Sequence, residues 1–166
     1  MPHRRNYAHV VDVPFSLYLT RFFQALLAGC LLGLTAYAIA FNDFASVRLS
    51  VFASAFALAI LGYYLVAVHA LPFIYNWLAI IITEFLIIAF YAATFSSLAA
   101  LYTDEKYSDF LYSNVIIAIV AMSAFAFVTH VITFLMHAAG VVKHRKQGKP
   151  LFSPQGRRPT IDMSQA

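Results

Sequence analysis

The sequence predicts an all-α integral membrane protein, a bundle of four transmembrane helices with both termini in the cytoplasm. Three observations carry that prediction. Of 166 residues, 62% are hydrophobic and 11% charged, where a soluble domain averages nearer half apolar and about a quarter charged. The chain holds 16 Phe and 10 Tyr, an aromatic load that suits lipid contact and the headgroup belt. The apolar residues also gather into four runs, and roughly 20 residues of helix cross a bilayer core of about 30 Å.

Residues 1–15, MPHRRNYAHVVDVPF, form a polar N-terminal segment. The first span covers about 16–40 and breaks at Asn42-Asp43. It is too long for the apolar core of a secretory signal and lacks a cleavage motif, so it reads as a retained span. The second covers about 46–70 and stops at Leu71-Pro72. The third, about 74–101, has Trp77 near its start and Tyr102 just after its end. The fourth, about 111–142, dissolves into KHRKQGK. Residues 143–166 are then a basic cytoplasmic tail whose Pro and Gly content argues against a fold of its own. Residues 16–142 make one transmembrane domain with short loops, so consecutive helices are antiparallel neighbours.

Lys and Arg placement gives the orientation. Arg4 and Arg5 precede the first span, and Lys143, Arg145, Lys146, Lys149, Arg157 and Arg158 follow the fourth. The first loop has Arg48 alone, and the third has Lys106 among Asp104, Glu105 and Asp109. The positive-inside rule puts both ends in the cytoplasm. The net charge of +4 is therefore mostly in the tail. It points to anionic lipid of the inner leaflet, contacted by Lys143, Arg145, Lys146 and Lys149, rather than to nucleic acid. Thr160 after Arg157-Arg158, and Ser153 before Pro154, are candidate phosphorylation sites that would loosen that hold.

One polar residue asks for an explanation. Glu84 lies inside IIITEFLIIAFYAATF, where a carboxylate costs roughly 2.5–3.5 kcal/mol by insertion scales. Counted at about 1.5 Å per residue from the cytoplasmic side, Arg21 lies about 7 Å deep, Gln24 about 12 Å and Glu84 about 13–15 Å. Arg21 and Gln24 are three residues apart and share a helix face. The fourth span brings His130 and His137, seven apart with Thr133 between them, to the cytoplasmic half, and His69 ends the second span. Arg21, Gln24, Glu84, His130 and His137 are thus expected to form an intramembrane polar cluster.

Three roles fit such a cluster. It is a staple that fixes helix register, a proton or ion path, or a haem or metal site on histidines, His69 with His137 being at comparable depth. Discontinuous helices and repeat symmetry, which mark transporters, are not evident. Neither loop offers a nucleophile with a base, so no catalytic residue is expected. The staple, which needs no cofactor or metal, is the expected role.

Small residues recur at helical spacing. Ala25, Gly29 and Gly33 fall four apart in the first span, and Ala89, Ala93 and Ser97 in the third. Such faces let backbones approach closely. They are expected to pack the four helices of one chain together, a homo-oligomer face being the other reading. Ser96 and Ser97 read as packing residues. Cys30 is the single cysteine, which excludes an intrachain disulfide, and it reads as a small core residue.

At this point the residues resemble a family. RFFQALLAGCLLGLTAYAI is similar to the first span of fungal MARVEL-domain proteins, where an Arg and a Gln precede a Gly-Leu-x-Ala-Tyr-like end. EFLIIAFYAATFSSLAALY resembles their third span, which opens on an acidic residue. The resemblance covers about 15–145 and implies a non-enzymatic organiser of membrane. Such proteins act in lateral domain assembly, membrane apposition or vesicle trafficking, often in sterol-rich membrane. It further implies a structural role for Arg21, Gln24 and Glu84, and a plasma-membrane or secretory-pathway address. The loops lack the paired cysteines of some animal relatives, and His130 and His137 are not a mark of the family. The alternative is a small accessory subunit of a larger membrane redox or transport complex, with haem on its histidines in one version.

Overall fold

The computed structural model describes residues 15–41, 44–71, 74–103 and 113–148. They form four helices: α1 (Phe15–Phe41), α2 (Ala45–Leu65), α3 (Trp77–Thr103) and α4 (Ser113–Lys146). A π-helical turn, Val66–Ala70, prolongs α2. All four are long and apolar enough to cross a membrane, and no strand occurs among the described residues.

Two boundaries differ from the sequence reading for a local reason. The third helix begins at Trp77, because the Asn76 side-chain oxygen accepts the N–H groups of Leu78 and Ala79 at 3.0 and 3.3 Å and caps it there. The fourth continues to Lys146, since Lys143, His144, Arg145 and Lys146 crowd its last turn, where positive charge meets unpaired carbonyls. It closes at Gly148, whose φ of 66° is the left-handed conformation that glycine adopts freely. The basic cluster therefore begins on a helix, with Lys143, Arg145 and Lys146 exposed. Lys149 and the candidate phosphorylation sites lie outside the described residues.

Buried positions step by three and four along each helix: Leu17, Arg21, Gln24, Ala28, Leu31, Thr35 and Ala38 on α1, and Ile80, Glu84, Ile87, Tyr91, Thr94 and Leu98 on α3. That alternation is the signature of left-handed bundle packing, in which side chains of one helix fill holes on the next. The helices form a ring in which α1 packs on α2 and α4, and α3 packs on α2 and α4. Helices α1 and α3 face each other across the diagonal.

The polarity is inverted relative to a soluble bundle. Phe22, Phe85 and Phe125 stand on the outer surface, while Arg21, Gln24, Glu84, His130, Thr133 and His137 are buried. This is the arrangement expected when the outer solvent is hydrocarbon, because polar groups then find partners only inside. Two apolar clusters result. One, around Ala28, Ala57, Ile87, Leu98 and Ile119, fills the end near the α1–α2 connection. The other, around Leu17, Ala67, Tyr75, Ile80 and Val141, fills the end near the termini. The polar groups form a band between them.

Candidate functional site

The band is built outward from two side chains on one face of α1. Arg21 and Gln24 are one turn apart, and Arg21 Nη1 donates to Gln24 Oε1 at 3.0 Å. The same guanidinium makes an ion pair with Glu84 of α3 and donates from Nη2 to His137 Nδ1 of α4 at 3.1 Å. Because Arg has no acceptor, His137 Nδ1 carries the lone pair, and the ring proton sits on Nε2.

Gln24 extends the network to α4, its Nε2 donating to Thr133 Oγ1 at 3.1 Å. Thr133 Oγ1 lies 3.3 Å from Glu84 Oε2 and 3.0 Å from the His130 carbonyl, so its one proton is shared between them. His130 Nδ1 donates to Glu84 Oε2 at 3.3 Å. Arg21, Gln24, Thr133 and Glu84 thus close a hydrogen-bonded ring through three helices. The fourth helix joins through an aromatic face. The Tyr64 ring of α2 lies 4.9 Å from the Arg21 guanidinium carbon and meets the His137 ring edge-on at 5.4 Å. The charge is therefore met by a carboxylate, an amide, an imidazole and an aromatic face, all desolvated together.

All five predicted cluster residues are brought together, and Thr133 with them. His69 is not. It is exposed on the π-helical turn, its ring 5.4 Å from that of Tyr18, whereas His137 is buried. Among the described residues no group of three or more His, Cys, Asp or Glu is placed to hold a metal ion. Three further buried side chains were not singled out from the sequence. Tyr64 and Tyr91 look like ordinary span aromatics, and His144 is hidden in the basic run after the fourth span. The signal available for His144 was spacing, since it lies one further heptad from His130 and His137.

The small-residue faces require correction. Gly29, Gly33, Ala89 and Ala93 are exposed, and Ala25 and Ser97 half-buried. A Cβ built on Gly29 or Gly33 meets nothing within 4 Å. These faces do not pack this chain's helices together; Ala28, Ala38, Ala53, Ala57 and Ala126 do so instead. The reason is rotational. At 3.6 residues per turn, Gly29 lies about 140° round α1 from Gln24, and Ala93 about 180° round α3 from Glu84. Once the polar residues turn inward, the glycines must turn outward. Cys30 and Ser96 are likewise exposed rather than core.

Comparison with protein-family models, with curated proteins and with solved structures gives no match in any of the three. The site's own geometry is then the ground for a functional reading.

Proposed function

We propose that this chain is a non-enzymatic, multi-pass membrane-organising protein, with its termini in the cytoplasm and a plasma-membrane or secretory-pathway address. The observation that carries the reading is the closed ring of Arg21, Gln24, Thr133 and Glu84, which links three helices through hydrogen bonds and an ion pair. A buried network of this kind sets register and rotation. It leaves the outer faces free for association. Those faces carry aromatic side chains and the open stripe of Gly29 and Gly33, suited to lipid and to other helices. Lys143, Arg145 and Lys146 stand exposed on the last turn of α4, where anionic headgroups would lie. The resemblance of the first and third spans to fungal MARVEL-domain proteins points the same way.

The outward glycine stripe also suits a second reading, an accessory subunit packed on a larger membrane enzyme. One preparation in mild detergent separates the two, by native mass and visible absorption. A colourless assembly of this chain with bound lipid is the expected result. A fixed stoichiometry with an enzyme, or a Soret band lost in His137→Ala, would overturn the organiser reading.

A further inference from the structure

The interior stacks in layers whose depths follow from contacts already described. Arg21, Tyr64 and His137 touch, so they share a depth. Fourteen residues along each helix from that layer stand Thr35 on α1, Ser50 on α2 and Ser123 on α4, about 21 Å away. Thr133 touches Glu84, and ten residues on from that contact α4 and α3 bring Ser123 and Thr94 level. Each helix therefore contributes one hydroxyl to a single layer, and all four are fully buried.

That layer is not ordinary packing. Thr20, Ser54, Thr83, Ser97 and Thr129 all donate back to carbonyls of their own helices, the usual resort of a hydroxyl in an apolar helix. Thr35 does the same, to Leu31 at 2.6 Å. The hydroxyls of Ser50, Thr94 and Ser123 make no hydrogen bond among the described residues. Three such groups at one depth on the axis suit bridging water, which makes two to four bonds to buried polar atoms.

Polar side chains continue from there toward the termini. Ser54 and Tyr91 are buried one layer on, with the Tyr91 ring stacked on His130 at 5.6 Å. His130 leads to Glu84 at 3.3 Å. Beyond the ring, His137 Nε2 and the Tyr64 hydroxyl are buried without a hydrogen-bond partner, and His144 is buried at the last turn of α4. From Ser123 to His144, α4 advances about 31 Å, the thickness of a hydrocarbon core. Fixing register takes one polar layer; a seam of this length exceeds that need.

We propose that the seam is a proton path, with water bridging the hydroxyl layer and the His130–Glu84 pair as its central station. Each hydroxyl or water on the way accepts one proton and releases another, so none keeps a charge. His130 Nδ1–H faces Glu84, which makes Nε2 the nitrogen that receives a proton from the hydroxyl side. Nδ1 then passes its proton to Glu84 Oε2. Glu84 releases it to water beside His137 and Tyr64 and returns to carboxylate. The cycle closes when His130 returns its proton from Nε2 to Nδ1. The charged and titratable groups facing the station are Arg21 from α1, Tyr64 from α2, Tyr91 from α3 and His137 from α4. Arg21 keeps its proton throughout, and its fixed charge repels metal cations. This inference stands independently of the membrane-organising role.

The test uses the full chain in phosphatidylcholine vesicles that enclose a pH-sensitive dye, with potassium and valinomycin clamping the potential. After an external acid jump, wild-type vesicles acidify several-fold faster than protein-free ones, while sodium entry stays at the protein-free level. Ser50→Ala/Thr94→Val/Ser123→Ala deletes only unpartnered hydroxyls, so it folds, as helicity and elution volume verify, and it loses most of the excess flux. Glu84→Gln loses it all. Folded wild-type protein without excess proton flux, equal sodium flux, or an unchanged rate in the triple variant would each overturn the proposal. None of these outcomes bears on self-association, which the native mass reads separately.

Discussion

Arg21 of α1 and Glu84 of α3 form an ion pair across the diagonal of the bundle, between two helices that are not packing neighbours. The pair therefore adds a direct link between two helices whose main packing partners are α2 and α4. It also explains why the band is elaborate. A charge pair taken out of water repays its desolvation only when neighbouring donors and acceptors engage it; here Gln24 and His137 accept from the two terminal nitrogens of Arg21, and His130 and Thr133 meet Glu84 Oε2, while Arg21 Nε is left without a hydrogen-bond partner.

Breaking the pair from one side should cost more than deleting it. Glu84→Ala leaves the Arg21 guanidinium buried without its carboxylate, and the expected loss is about 3–5 kcal/mol. Arg21→Met combined with Glu84→Leu removes both charges and keeps volume, so it should be far closer to wild type. Unfolding of the two variants and the wild type in detergent, measured side by side, checks this. Equal losses in the single and double variants would refute it.

Glycine exposure makes an opposite pair of expectations. At Gly33 a side chain meets open space, so Gly33→Leu should leave thermal stability within about 0.5 kcal/mol of wild type. Any loss of self-association in that variant then reports on the outer face alone. Ala57 is fully buried, and Ala57→Leu overpacks the core at a cost of about 1–3 kcal/mol. Melting temperatures of the two variants, measured side by side, decide whether the stripe faces outward.

The start of α3 rests on one side chain. Asn76→Ala removes the acceptor for two backbone N–H groups and should cost about 1 kcal/mol. Asn76→Asp and Asn76→Ser, which keep an acceptor, should recover most of it. Hydrogen exchange at Leu78 and Ala79 is the local readout, and unchanged protection in Asn76→Ala would show that the cap lies elsewhere.

Hydropathy and residue spacing were enough to predict four helices, their order, and the placement of Arg21, Gln24, Glu84, His130 and His137 in the same half of the bundle. Depth is legible because helical rise is constant, and inward placement because an ionised group in an apolar span has no other partner. Rotation was not legible in the same way. With aromatic and aliphatic residues on every face, no apolar stripe marks the core side, so the small residues Gly29 and Gly33 looked as suited to the interior as Ala28 does. Only the tertiary structure decided that the Arg21–Glu84 diagonal turns α1 and α3 so that the glycines face out. The same rotation lines up Thr35, Ser50, Thr94 and Ser123 at one depth. Helices of fixed rise keep fixed angular relations along their length, so orienting one buried pair orients every layer above it.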